Sequence, residues 1–161
     1  MRVQLRLVLE CPPDSAWGAI RSPEVFRDVA YPLAEFEPLG DTAFPEQWGE
    51  GAYTVAAHAL FGIIPVGEHR IDVSLRTQGA VRIFEDEGGP ISGPLAVVTR
   101  WRHRMAIAPT RDGATLFRDR LEFSAGAATP AIWLALWVFW QWRAARLRRL
   151  APGFASRFTG S

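Results

Sequence analysis

The chain has 161 residues, 48% of them apolar before glycine is counted, and 18 basic against 17 acidic side chains leave a net charge of +1. That is the length of one domain. Counting the 14 glycines raises the apolar share to about 57%, above the ordinary ~45–50%, which excludes a disordered, low-complexity or collagen-like chain.

Residues 3–11 alternate, with Val3, Leu5, Leu7 and Leu9 on one face and Gln4, Arg6 and Glu10 on the other, the pattern of a half-buried strand. Pro12-Pro13-Asp14-Ser15 stops it and offers a cap for a short helix carrying Trp17 and Ile20. Ser22-Pro23-Glu24 starts a second short helix: Ser as cap, Pro at the first helical position, Glu in the first turn. Its apolar side is Val25, Phe26 and Val29, and Tyr31-Pro32 ends it.

From residue 34 to 124 the period is two. Strands are expected over 34–39, 52–62, 68–77, 80–86, 96–108 and 114–124. The separators are Gly40-Asp41, Pro65-Val66-Gly67, Gln78-Gly79, the loop 87–95 and Arg111-Asp112-Gly113. Six strands joined by short turns predict an antiparallel meander. Thr129-Pro130 then opens a helix that runs to Leu150 and closes at Pro152-Gly153. The whole is one domain over 1–161, with its core at 3–151 and a tail at 152–161.

The expected class is α+β: about seven antiparallel strands curved around one long C-terminal helix, with two short helices after the first strand. This order resembles the START-like, helix-grip superfamily, often called SRPBCC. The local segments Pro45–Tyr53, Phe61–Gly67, Trp101-Arg102-His103, Asp112–Asp119 and Thr129–Trp133 resemble an uncharacterised bacterial branch of it. The resemblance implies an interior cavity for a hydrophobic small molecule, such as a lipid, a polyketide-like or an aromatic compound.

Strand parity places candidate residues in that cavity. Over 96–108 the inward set is Val97, Thr99, Trp101, His103, Met105 and Ile107; over 114–124 it is Thr115, Phe117, Asp119, Leu121 and Phe123. A three-residue turn at 111–113 sets Met105 opposite Asp119 and His103 opposite Leu121, so His103 and Asp119 stand diagonally. A lone carboxylate in an apolar interior is costly, so Asp119 needs a partner: His103, or else Thr99, Thr115 or Tyr53. The pair reads as a structural bond, a polar anchor for a ligand, or an acid/base couple.

His69 is expected near the cavity mouth, and His58 toward solvent. Histidines eleven and thirty-four positions apart have no metal-ligand spacing, and no phosphate loop or cofactor motif is present, so neither a metal nor a cofactor is expected. The lone Cys11 reads as a packed thiol. All the basic residues are arginine, and Lys and Asn are both missing, which reads as a GC-rich genome rather than chemistry. The outward arginines lack interleaved aromatics, so cross-strand ion pairs are expected there rather than nucleic-acid binding.

On the long helix, Trp133, Leu136, Trp137, Trp140, Ala144, Leu147 and Ala151 form the stripe expected to grip the sheet. The ligand-binding set is then Trp101, His103, Met105, Phe117, Asp119, Leu121, Trp133, Trp137 and Trp140. The other side, Ile132, Leu134, Val138, Phe139 and Trp142, is also apolar, while Arg143, Arg146, Arg148 and Arg149 make the last turns basic. Leu134, Val138 and Trp142 are candidates for contact with a second copy, for transient contact with a membrane, or for burial under the loop around Phe44 and Trp48. A spanning helix is disfavoured because only about ten residues are strictly apolar, roughly half a bilayer. The N-terminus lacks signal-peptide form, and a cytoplasmic location is the default expectation. Three functions follow: hydrophobic-ligand binding, an aromatase/cyclase-like enzyme using His103 and Asp119, and a contact module on the outer helix face.

Overall fold

The structure is a computed structural model and describes residues 1–40 and 43–158. Its elements are β1 (Arg2–Leu9), α1 (Pro13–Ile20), α2 (Pro23–Ala30), β2 (Ala34–Pro38), β3 (Gly51–Ala59), β4 (Ile64–Gln78), β5 (Val81–Asp86), β6 (Gly89–Pro90), β7 (Arg100–Pro109), β8 (Thr115–Ser124), α3 (Thr129–Leu150) and α4 (Phe154–Arg157). The main path of the sheet runs β1-β8-β7-β5-β4-β3-β2, with β6 paired to β4 and every pairing antiparallel. The sheet is curved and unclosed, and it wraps the long helix α3: a START-like helix-grip fold.

The caps divide by chemistry. Ser22 Oγ accepts from Val25 N–H at 3.3 Å, as a cap serine should. The first helix has no side-chain cap: Pro12 stands at its cap position and Pro13 begins it. Nor does Thr129 cap α3. Its hydroxyl accepts from Ala125 N–H and donates to the Gly126 carbonyl, closing a preceding one-turn 3-10 helix, Gly126–Ala128.

Two strand boundaries move from their expected places. The β3–β4 turn falls at Leu60–Ile63, where Leu60, Phe61 and Gly62 all have positive φ, and not at Pro65-Val66-Gly67. Pro65 has no N–H for the ladder, and the pairing takes up a register shift opposite it, between Ala57 and His58. Before β7, Pro94 opens a 3-10 turn, Pro94–Val97. That removes Val97 and Thr99 from the inward row: both are exposed, and Val98 is buried instead. Asp41 of the expected Gly40-Asp41 turn lies outside the described residues.

The segment after 151 is more than a tail. A 3-10 turn leads into α4, whose Phe154 is wholly buried in the core and rests against Phe158. Residues 159–161 of that segment lie outside the described residues. Among the described residues, no helix is long and apolar enough to cross a membrane.

Candidate functional site

Between α3 and the concave face of the sheet lies a cavity of about 430 Å³. That volume is within the ~300–1,000 Å³ of small-molecule sites. Its walls come from the sheet (Phe36, Ile71, Phe84, Met105, Phe117), from the short helices (Ile20, Val25, Phe26, Val29) and from α3 (Ile132, Leu136, Phe139, Trp140, Leu147). Ala135 and Val138 line it and are also exposed, which opens the cavity beside the first half of α3.

Most of the polar groups on the wall, His58 apart, cluster together. Met105 pairs with Asp119 and His103 with Leu121, the register expected from a three-residue turn. His103 Nε2 stands 2.8 Å from Asp119 Oδ1, and both side chains are buried. An ionised carboxylate only accepts, so the shared proton belongs on Nε2. Trp140 Nε1 donates to the same Oδ1 at 3.0 Å, joining helix to sheet. Burial alone would raise the Asp119 carboxyl, but His103, Arg143 and the Trp140 N–H together hold it below its ordinary value.

Beside this pair stands a carboxylate that the sequence reading did not single out. Asp86 is buried and lines the cavity. Its Oδ1 accepts the backbone N–H of Asp72 at 2.8 Å and of Gly88 at 2.9 Å, and its Oδ2 accepts Trp101 Nε1 at 3.2 Å. His69 lies edge-on to Trp101, with ring centroids 5.0 Å apart. Burial pushes the His69 imidazole below its ordinary value; Asp86 opposes that and His103 adds to it. His58, expected toward solvent, lines the cavity because the register shift falls beside it.

The expected site residues divide. Trp101, His103, Met105, Phe117, Asp119 and Trp140 line the cavity together. Leu121 is fully buried but packs with Val3, Val98 and Trp140 in an adjoining core cluster rather than on the wall. Trp133 and Trp137 also stand off the wall. Trp133 Nε1 donates to the Arg2 carbonyl at 2.9 Å, and Trp137, 42% exposed, stacks on Trp133 at 6.5 Å. Leu136, Trp140, Ala144 and Leu147 of the expected stripe do face the cavity, but the lining face is turned by part of a residue, so that Ile132 and Phe139, expected on the outside, face it too.

Arg143 turns with that stripe. Expected in the basic end of the helix, it lines the cavity, its guanidinium 4.9 Å from the Trp140 ring and 5.8 Å from Phe139. Burial lowers its pKa, and Asp119 partly offsets this. Leu134, Val138 and Trp142 are exposed rather than buried under the loop around Phe44 and Trp48, two residues that pack into the main core. Trp142 Nε1 donates to the Tyr31 carbonyl, and Tyr31 meets Phe61 edge-on.

Loop 87–95 is stitched down. Gly89 and Pro90 pair with Arg70 and His69, Ile91 N–H donates to the Glu68 carbonyl, and Ser92 Oγ accepts from Glu68 N–H. A Cβ on Gly67 would stand 2.3 Å from the Ser92 carbonyl oxygen, so that crossing requires glycine. On the outer face of the sheet, buried Glu85 takes Arg76, Arg102 and Arg104 as ion-pair partners, the cross-strand pairing expected of those arginines. Cys11 is a buried free thiol, raised by burial and partly lowered by Thr115. Among the described residues, no group of three or more His, Cys, Asp or Glu is placed to hold a metal ion.

Residues 8–151 match the model of a family described as a domain of unknown function, DUF8410. No curated protein is matched by the sequence. Solved structures share the fold at low identity. A protein from Chromobacterium violaceum is 19% identical over 94% of this chain and 96% of its own, with a TM-score of 0.60. The aromatase/cyclase Zhui from Streptomyces sp. R1128 is 13% identical over 100% and 96%, with a TM-score of 0.60. Norcoclaurine synthase from Thalictrum flavum, in complex with dopamine and hydroxybenzaldehyde, is 16% identical over 93% and 85%, with a TM-score of 0.59.

Proposed function

The chain belongs to the DUF8410 family, and from the cavity of this member we propose that it binds a hydrophobic small molecule between α3 and the concave sheet. One observation carries the reading: an apolar cavity of about 430 Å³ has most of its polar groups clustered together and an opening beside Ala135 and Val138. Such a wall selects by shape and apolar area, and a few convergent polar groups fix orientation. A lipid, a polyketide-like compound or an aromatic compound fits that description. Titration with a hydrophobic library, read by quenching of Trp101 and Trp140 fluorescence, tests it. Saturable quenching is the expected result, and none across the library contradicts the reading.

A second reading rests on the His103–Asp119 bond. A carboxylate that orients an imidazole makes an acid/base couple, the arrangement an aromatase/cyclase-like reaction would use. Under that reading turnover of a polyketide-like substrate falls in both His103→Ala and Asp119→Asn, whereas unaltered turnover removes it. A third rests on the exposed Leu134, Val138 and Trp142 beside the opening. They suit contact with a second copy or with a membrane during loading, and light scattering and liposome binding of Val138→Glu and Trp142→Glu test it. A change in neither measurement counts against that surface.

A further inference from the structure

Arg143 is a half-buried cation set against an apolar wall, and it has no hydrogen-bonding partner among the described residues. Its Nε is fully buried and has no hydrogen-bond partner. Among the described residues its guanidinium makes no ion pair within 4.0 Å, although Asp119 is near enough to act on its charge. What holds it is the Trp140 face at 4.9 Å and the Phe139 face at 5.8 Å. Ring faces balance charge but accept no N–H in the plane of the fork.

The neighbouring carboxylates are in the opposite condition. Both oxygens of Asp86 are engaged, and Asp119 Oδ1 already takes two donors, from His103 and Trp140. The donors left for a ligand are therefore the Arg143 Nη groups, which make no hydrogen bond among the described residues, while of the two carboxylates only Asp119 Oδ2 is without a donor. A half-buried guanidinium whose Nη donors meet no protein acceptor is stabilised by a ligand that brings one.

We infer that the ligand is an amphiphilic carboxylic acid, its carboxylate bidentate on the Arg143 guanidinium and its apolar body along the Phe117, Met105 and Leu136 walls. The fork of N–H groups matches a carboxylate. A phosphate ester would bring up to two negative charges beside Asp119 and Asp86 against one free cation, so a monoanion suits the site better. This inference rests on the ligand-binding reading and adds the chemical class of the ligand.

Calorimetric titration of the full chain with dodecanoic acid, naphthoic acid and their methyl esters tests it, in the native protein, Arg143→Met and Arg143→Lys. Methionine keeps the stem's packing without the charge, and lysine keeps the charge without the fork. The native protein should bind at least one acid ~10-fold or more tightly than its ester, the size expected of hydrogen bonds to a charged group. Arg143→Met should lose that preference while still binding the ester, which also shows that its cavity is intact. Arg143→Lys should retain part of it. Equal affinity for acid and ester, or a preference that survives in Arg143→Met, overturns the carboxylate assignment and leaves ligand binding standing. Binding of neither acid nor ester, with no quenching by neutral apolar compounds, overturns both.

Discussion

Asp119 joins three elements through one carboxylate, with His103 on β7 and Trp140 on α3 as donors and Arg143 as a nearby charge. Its depressed pKa fixes the sign of its pH dependence. The stability it contributes is complete above the unfolded value of about 3.9 and is lost as pH falls through the lower folded value. Asp119→Asn should cost ~1–3 kcal/mol near neutrality by mismatching two buried donors. Urea unfolding across the acid range should also show a shallower acid loss in the variant than in the native chain. His69 is also lowered, here because burial holds its imidazole neutral. Stability tied to it is full above the unfolded value of about 6.5 and declines as pH falls toward the folded one. In His69→Phe, the fall in melting temperature on acidification from neutrality should be smaller; an identical fall would mean that His69 is already solvated.

At the scale of elements, the His103–Asp119 diagonal was legible because a short turn sets register and parity does the rest. The phase of α3 was not. Its first three turns are apolar all round, so periodicity gives no unique face there, and the observed face is turned by part of a residue from the expected one, keeping Leu136, Trp140, Ala144 and Leu147. That turn hid Arg143 among the basic residues of the last turns and took Trp133 and Trp137 off the cavity wall, although Trp133 still packs on the core. Asp86 and Glu85 were illegible for another reason. Their strand β5 is covered on both faces, by the cavity end on one and by Arg76, Arg102 and Arg104 on the other, so alternation fails there. The phase of the helix has an optical consequence. Trp137→Phe should leave ligand quenching unchanged, whereas Trp140→Phe should remove much of it; a comparable loss in both would restore the expected stripe. Element α4 is tested by Phe154→Ala, which should cost ~3–5 kcal/mol in urea unfolding if the buried ring closes the core as described. A loss within ~0.5 kcal/mol would make that end of the chain dispensable.

The whole molecule explains most of the unusual apolar content. Part lies in the core, part in the cavity wall, and a residue stays exposed around the opening at Phe61, Leu134, Val138 and Trp142. The fold was readable from element order alone, because one long helix after a meander has only one large concave face to cover. The occupant was not, because apolar walls carry little chemical information and the decisive polar groups come from four strands and a helix. The central claim is that this cavity holds a hydrophobic small molecule. Native mass spectrometry of the freshly purified chain, before and after solvent extraction, tests it most directly. The account predicts a small-molecule mass increment that extraction removes, and the extracted chain should then take up an apolar acid added back. A chain that is bare in every preparation, and stays bare when apolar acids and neutral hydrophobic compounds are added, would contradict it.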